Sequence, residues 1–371
     1  MDIQKEFEVG PIRPPSEADS LLLRVTRNCP WNKCKFCTLY KKHKFSARSV
    51  EEIKADIDQV ALYRENILSG IPEDLYELPE LTMERYLYVM NWIAGGEQSV
   101  FLQDANTVVL TYDKLREILA YLREKLPNVK RVTTYGRVDS LNKFTTEQFS
   151  GLKAAGLDRI HSGYESGCDK VLALINKGYT RAQEIEAGQK VKASGIELSI
   201  YYMPGTGGKD LSEANALHTA DVVNQVDPDF LRIRTFVAQK GTGMHDDISA
   251  GRLTECTDKE KMLELKMMIE GIEGAGGYIY SDHIINLFED VKGNMKSDKQ
   301  KMLSIFDEFE SLNEEDQRRY QIARRMGMVR SLSQINRLSR EQRETVDSYL
   351  SRLSSTDEFE AFLSRLLRRY I

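Results

Sequence analysis

The chain has 371 residues, 41% of them hydrophobic, with 52 lysines and arginines against 57 aspartates and glutamates. That length supports one large core plus a smaller one, and a net charge of −5 does not mark the chain as a nucleic-acid binder. Met1-Asp2-Ile3-Gln4-Lys5-Glu6 lacks the pattern of a secretory signal, and no apolar run reaches the ~18–20 residues of a bilayer span. Five cysteines, an odd number with three clustered, argue against a disulfide framework, so a cytoplasmic protein is expected.

In chain order, a short proline-containing arm at 1–17 leads into a predicted strand at Leu21–Thr26. Three cysteines follow within nine residues, in Arg27-Asn28-Cys29-Pro30-Trp31-Asn32-Lys33-Cys34-Lys35-Phe36-Cys37. Further strands are predicted at Ser99–Leu102, Arg131–Tyr135, Arg159–Ser162, Glu197–Tyr202 and Phe230–Phe236. Helical periodicity is read over Val50–Leu68, Tyr112–Lys125, Thr146–Ala155, Cys168–Ile175, Arg181–Ser194 and Asp210–Val226. Residues 69–98 are too long for a normal connection. They hold a helical pattern from Met83 to Trp92, read as an extra helix on the barrel exterior, with a substrate lid or partner surface as the alternative.

Repeated strand–helix units imply parallel strands with right-handed crossovers. Six of them define the expected fold class: α/β, a partial (β/α)6 TIM-like barrel over 18–250, with a C-terminal α-helical domain over 251–371. Strands are expected to stop from about Thr254, giving way to helical patterns beginning at Lys259, Asp298, Glu315, Ser331, Ser339 and Glu358. Past Lys301 the cations are all arginines, from Arg318 and Arg319 to Arg368 and Arg369, interleaved with acids such as Asp347 and Glu344. They read as salt-bridged helix faces, with an RNA-facing surface as the alternative.

Three close thiolates can grip one soft metal site yet leave it a ligand short, because tetrahedral zinc or iron takes four. The other cysteines, Cys168 and Cys256, are distant, and an iron left open invites a small molecule to complete it. Spacing alone keeps a rival: plant-type ferredoxins use this cysteine run with a distant fourth for a two-iron cluster. Zinc lacks a fourth Cys or His at finger spacing, since His43 stands alone.

The whole pattern over about 18–240 resembles the radical S-adenosylmethionine superfamily, with the subgroup resembling the methylthiotransferase-type core. The first cysteine pair is separated by four residues, Pro30 to Lys33, where the family commonly has three. The resemblance implies that Cys29, Cys34 and Cys37 hold a single [4Fe-4S] cluster whose free iron binds S-adenosylmethionine. It further implies that Phe36 packs near the adenine, that Asp104 supplies a carboxylate to the methionine amino group, and that Glu165, in Gly163-Tyr164-Glu165-Ser166-Gly167, takes the ribose hydroxyls. Asn176-Lys177-Gly178-Tyr179-Thr180 matches a second subgroup segment, and the turn from Tyr202 through Pro204-Gly205 resembles the family's fifth-strand turn. Family chemistry is reductive cleavage of S-adenosylmethionine to a 5′-deoxyadenosyl radical, which removes a hydrogen atom from the substrate.

Strand alternation places Arg232 and Arg234 on one face, where an inward arginine would hold the cofactor carboxylate or an acidic substrate; Arg137 is a similar candidate. His161 reads as a core histidine rather than an acid–base group, while Tyr201, Tyr202 and His245 are candidate pocket residues. The sequence leaves the catalytic residues unassigned. The expected partners are a small-molecule substrate and an external low-potential electron donor such as flavodoxin or ferredoxin. The alternatives are RNA modification and, in a different class, ferredoxin-like electron transfer.

Overall fold

The computed structural model describes residues 6–71 and 73–370. The first five residues of the predicted arm, Pro72 of the 69–98 insertion and the terminal Ile371 lie outside the described residues. The strands are β1 (Leu21–Arg24), β2 (Thr26–Arg27), β3 (Ser46–Ala47), β4 (Ser99–Gln103), β5 (Arg131–Tyr135), β6 (Arg159–Glu165), β7 (Glu197–Tyr202), β8 (Phe230–Ile233), β9 (Tyr278–Tyr280) and β10 (Gly293–Asn294). Eight form one sheet in the order β1-β4-β5-β6-β7-β8-β9-β10, and β2 and β3 make a separate ribbon. The fold is α/β, with a mostly parallel sheet and a largely helical C-terminal region. The chain divides into two compact units, one of Met1–Asn32, Tyr40–Ser162 and Gln189–Leu198, the other of Lys33–Leu39, Gly163–Gly188 and Ser199–Ile371.

In the first unit β1 pairs parallel with β4, β4 with β5, and β5 with β6. Leu21, Leu23, Val100, Phe101 and Val132 are fully buried, as expected of strands covered on both faces. The predicted helices form with local signals: Ser49 and Glu52 make a capping box at Val50–Ser69, as do Thr145 and Gln148 at Thr146–Ala154. Glu17, fully buried, accepts a guanidinium fork from Arg131 (3.0 and 2.9 Å) and the Ser20 hydroxyl at 2.7 Å. His161 Nε2 lies 3.2 Å from the same carboxylate, among the rings of Phe101 and Tyr135. His161 is thus a core residue, as its sequence position implied.

The insertion forms a helix over Glu80–Ala94, with Tyr86, Val89 and Trp92 buried. Tyr86 meets Tyr63 edge-on, Tyr88 lies against Phe7, and Trp92 Nε1 donates to the Ser99 carbonyl at 2.9 Å. Its aromatic face is therefore used for packing.

In the second unit β7 pairs parallel with β8 and β8 with β9, while β10 returns antiparallel to β9. The expectation that strands stop near Thr254 is corrected here. Tyr278-Ile279-Tyr280 adds a further parallel strand beyond the sixth, too short and too close to Gly276-Gly277 to give a periodic signal. Helices over Asp258–Glu270, Lys299–Ser311, Glu314–Arg325, Arg340–Leu350 and Thr356–Leu367 follow. Ser331–Ile335, read as a helical pattern, corresponds to a 3-10 helix over Leu332–Arg337 with Ser331 just before it. The core of this region is Phe288 packed against Phe306, Phe309 and Tyr320.

Most arginines of the tail, among them Arg330, Arg337, Arg343, Arg352, Arg368 and Arg369, are exposed, and four are held in the fold. Arg318 and Arg319 pair with Glu314, Glu315, Asp316 and Asp347 on helix faces. Arg324 and Arg325 are instead buried: Arg325 forks onto Asp258 (2.8 and 2.8 Å) and Arg324 binds Glu289 and the Ile284 carbonyl. Among the described residues, no helix is long and apolar enough to cross a membrane.

Candidate cofactor and substrate site

The cysteine run leaves β2 and returns through β3, so the ribbon clasps a loop running from Asn28 to Phe45. Asn28 and Asn32 take positive φ of 67° and 47°, a conformation asparagine tolerates better than most residues. Asn32 binds the carbonyl of Tyr40 through its side chain at 2.6 Å, and its amide lies 3.4 Å from the Cys29 sulfur. The division between the compact units falls inside this loop, after Asn32.

In the first unit, Asp104 stands just past the end of β4, fully buried. It accepts from Arg24 Nη2 at 2.9 Å, the Asn28 amide at 3.0 Å and the Tyr40 hydroxyl. All three donors flank the cysteine loop, so this carboxylate holds the segment carrying Cys29. The sequence had offered Asp104 for a ligand ammonium group; its visible task is loop anchoring. Burial, then the Asp104 charge, pushes the Tyr40 phenol far above its usual range. Arg137, past the end of β5, lies 5.4 Å over the Trp31 ring and binds Asp139 at 3.0 Å. It braces the same loop from the other side.

In the second unit, Cys34 is buried and Cys37 half-buried. The Lys35 amide donates to the Ile175 carbonyl at 2.9 Å, and Asn176 donates to the Lys33 carbonyl at 3.2 Å. Phe36 packs on a floor of Ile175, Met203, Phe236 and Met244. Lys177 lies 5.5 Å from the Phe36 ring centre and donates to Glu165 Oε1 at 3.0 Å. Glu165 ends β6 with φ of +69°, a left-handed conformation costing roughly 1–2 kcal/mol for a residue with a Cβ. Its carboxylate returns over Gly163, where a Cβ would sit 2.3 Å from Oε1 and 3.2 Å from Lys177 Nζ. A side chain there would displace the Glu165 carboxylate from this position. Lys177 lies in the Asn176-Lys177-Gly178-Tyr179-Thr180 segment, and its place after Glu-Ser-Gly is the only sequence signal for this pairing.

Tyr202 donates to Glu264 at 2.7 Å, which also takes the Gly205 amide (3.0 Å), Asn215 (2.7 Å) and Ser212 (2.6 Å). The hydroxyl therefore fixes the Pro204-Gly205 turn to the helix over Asp258–Glu270. Burial, reinforced by Glu264, holds the Tyr202 phenol well above its usual range. Arg232 is buried and binds Asp282 at 2.9 Å, whereas Arg234 is exposed just beyond β8. His245 sits on a short helix at Gly243–Ser249, beside Asp246.

All five cysteines are thiols outside any disulfide. Among the described residues, no group of three or more His, Cys, Asp or Glu side chains stands in metal-holding arrangement. The donor chemistry nevertheless fits an iron–sulfur cluster: three cysteines on one loop, with the amide of Asn32 directed at the Cys29 sulfur. By contrast, burial pushes the Cys256 thiol up to about 12, which suits a packed side chain rather than a ligand.

A family model described as the radical SAM superfamily matches residues 23–217. The chain is 29% identical over 134 residues to a tRNA-2-methylthio-N(6)-dimethylallyladenosine synthase of Syntrophus aciditrophicus (strain SB), covering 34% of this chain and 27% of that one. It is 26% identical over 192 residues to a 4'-phospho-dehydrooxetanocin synthase of Priestia megaterium, covering 50% of this chain and 23% of that one. The chain thus spans about a quarter of the length of these curated relatives. Among solved structures, the radical S-adenosylmethionine methyltransferase TsrM from Kitasatospora setae superposes with a TM-score of 0.45 at 12% identity, over 90% of this chain and 61% of that one.

Proposed function

The chain belongs to the radical SAM superfamily of enzymes, and from that premise we propose that it removes a hydrogen atom from a small organic substrate after reductive cleavage of S-adenosylmethionine at one [4Fe-4S] cluster. When bound, the cluster and S-adenosylmethionine supply the 5′-deoxyadenosyl radical for that step. The family implies both cofactors and the need for a reductant; Cys29, Cys34 and Cys37 are the proposed cluster ligands.

The observation that carries this reading is the left-handed Glu165, its carboxylate drawn over Gly163 onto Lys177 beside Phe36. An aromatic ring, a carboxylate and an ammonium group side by side can receive an adenine face and two ribose hydroxyls. Phe36 offers the ring, Glu165 accepts hydrogen bonds from the hydroxyls, and Lys177 holds the carboxylate in place through its ion pair. Asp104 and Arg137 act on the same loop by holding Asn28 and Trp31. Tyr202 contributes through the turn it fixes. The reductant is an external low-potential donor such as flavodoxin or ferredoxin.

Arg324 and Arg325 are buried and Arg318 and Arg319 are paired, so these four serve the packing of the tail, while Arg330, Arg337, Arg343, Arg352, Arg368 and Arg369 are exposed. The test is anaerobic reconstitution with iron and sulfide, then dithionite and S-adenosylmethionine. Release of 5′-deoxyadenosine is expected; a reconstituted, reducible protein that leaves S-adenosylmethionine intact contradicts the proposal.

A further inference from the structure

The second unit carries a row of polar side chains for which the cofactor reading has no use. Tyr201, Arg232 and Tyr280 are register partners across β7, β8 and β9 and so share one face of the sheet. Arg232 is only 4% exposed, pinned by Asp282 at 2.9 Å and lying 5.2 Å over the Tyr280 ring, yet its Nε–H has no hydrogen-bond partner among the described residues. A buried guanidinium donor left unmet is uncommon, and it directs attention to something that would accept from it.

Two neighbours point the same way. Arg234, two residues on, is exposed, and its guanidinium makes no ion pair among the described residues. His283, following Asp282, accepts the Ile285 amide on Nδ1 at 3.3 Å, so the neutral ring carries its proton on Nε2 and presents a donor. Two guanidiniums against one carboxylate leave one positive charge in this group. That balance suits a single anionic group better than a neutral or cationic one.

We propose that Arg232, Arg234 and His283 form a subsite for an anionic oxygen group, a carboxylate or phosphate, carried by the substrate. The inference rests on the proposed radical chemistry only for the word substrate; the anion site stands on its own geometry. Assignment to the substrate rather than the cofactor follows from position. The family match ends at residue 217, before β8 and β9, while Phe36, Glu165 and Lys177 lie within it.

His283 reports on the site. Burial first, then Arg234, lowers it to about 4, with Asp282 opposing and Arg324 adding to the effect. An anion seated between Arg234 and His283 favours the imidazolium and raises that midpoint. The experiment is an imidazole NMR titration of the 371-residue, reconstituted, oxidised protein, whose five histidines are few enough to assign with a His283→Gln variant. Inorganic phosphate or acetate is expected to raise the His283 midpoint by ~1 unit or more beyond a chloride control of equal ionic strength. The more effective anion identifies the class. Arg234→Gln, at an exposed position, is expected to abolish most of the shift, and Arg232→Gln all of it. No shift above chloride, or an undiminished shift in Arg234→Gln, overturns the proposal. An equal shift with S-adenosylmethionine alone also overturns it, by giving the site to the cofactor carboxylate. Each of these failures leaves 5′-deoxyadenosine formation untouched, so the two readings fall separately.

Discussion

Lys177 places its ammonium nitrogen 3.0 Å from Oε1 of Glu165, and Glu165 meets it from a left-handed backbone at φ +69°. The residue is held in an uncommon conformation so that its carboxylate points where the chain supplies a cation and an aromatic ring. Removing the cation leaves a nearly buried carboxylate without its ion partner. Lys177→Met is therefore expected to cost about 3 kcal/mol of stability and at least ~10-fold in S-adenosylmethionine affinity. Chemical unfolding and equilibrium binding on anaerobic protein measure both. Unchanged affinity would detach the pair from the cofactor.

A smaller change tests the same geometry from below. Gly163→Ala adds one methyl group 2.3 Å from Glu165 Oε1, so the carboxylate must move. Weakened S-adenosylmethionine binding is expected, with a folding cost of roughly 1–3 kcal/mol from overpacking. Full affinity in a folded variant would show that Glu165 works from another position.

Asp104→Asn separates loop anchoring from direct ligation. The substitution retains bulk but removes the charge facing Arg24 and one of the two acceptor oxygens, which serve Tyr40 (Oδ1) and the Asn28 amide with Arg24 (Oδ2). Anchoring predicts fewer iron and sulfide atoms per chain after reconstitution, with normal S-adenosylmethionine affinity in the fraction that loads. Full loading with weak binding would restore the sequence expectation of an ammonium ligand.

The amino-terminal arm gives a pH signature. Burial acts to raise the Glu17 carboxyl, but bonds from His161 and Ser20 and the charge of Arg131 override it, leaving it lowered from 4.5 to about 2. A depressed acid adds stability above its unfolded value and loses it as pH falls from about 4.5 toward 2. The shift corresponds to about 3 kcal/mol. Unfolding followed between pH 6 and 2 is expected to show this loss in the native chain and to show it diminished in Glu17→Gln, which is less stable at pH 6.

Much of the parallel fold was legible because the signals are local. Arg131–Tyr135, Glu197–Tyr202 and the helix Tyr112–Lys125 match their predicted limits, each an apolar pattern bounded by turn residues. β6 runs to Glu165 rather than Ser162 because Gly163, which reads as a breaker, is there for close approach. β9 escaped notice because three residues carry no period. The anchoring of the cysteine loop by Arg24, Asp104 and Tyr40 joins positions up to 80 residues apart, which spacing alone cannot reveal. Tyr202 faces Glu264, and its alternate Tyr201 shares the face of Arg232; a one-residue difference in a strand reverses the side.

The proposed ligand set divides the cysteines cleanly. Cys34→Ala is expected to abolish cluster assembly, whereas Cys256→Ala, at a buried thiol pushed up to about 12, is expected to retain full iron and S-adenosylmethionine cleavage. Iron and sulfide analysis with the visible absorption spectrum decides. Equal loss in the two variants would mean a different ligand set.

The most direct measurement is Mössbauer spectroscopy of oxygen-free, iron-57-reconstituted protein before and after adding S-adenosylmethionine. One iron in four is expected to change its parameters on addition, as the site lacking a cysteine acquires nitrogen and oxygen donors. Four irons that stay indistinguishable, with spectra unmoved by saturating S-adenosylmethionine, would contradict the account.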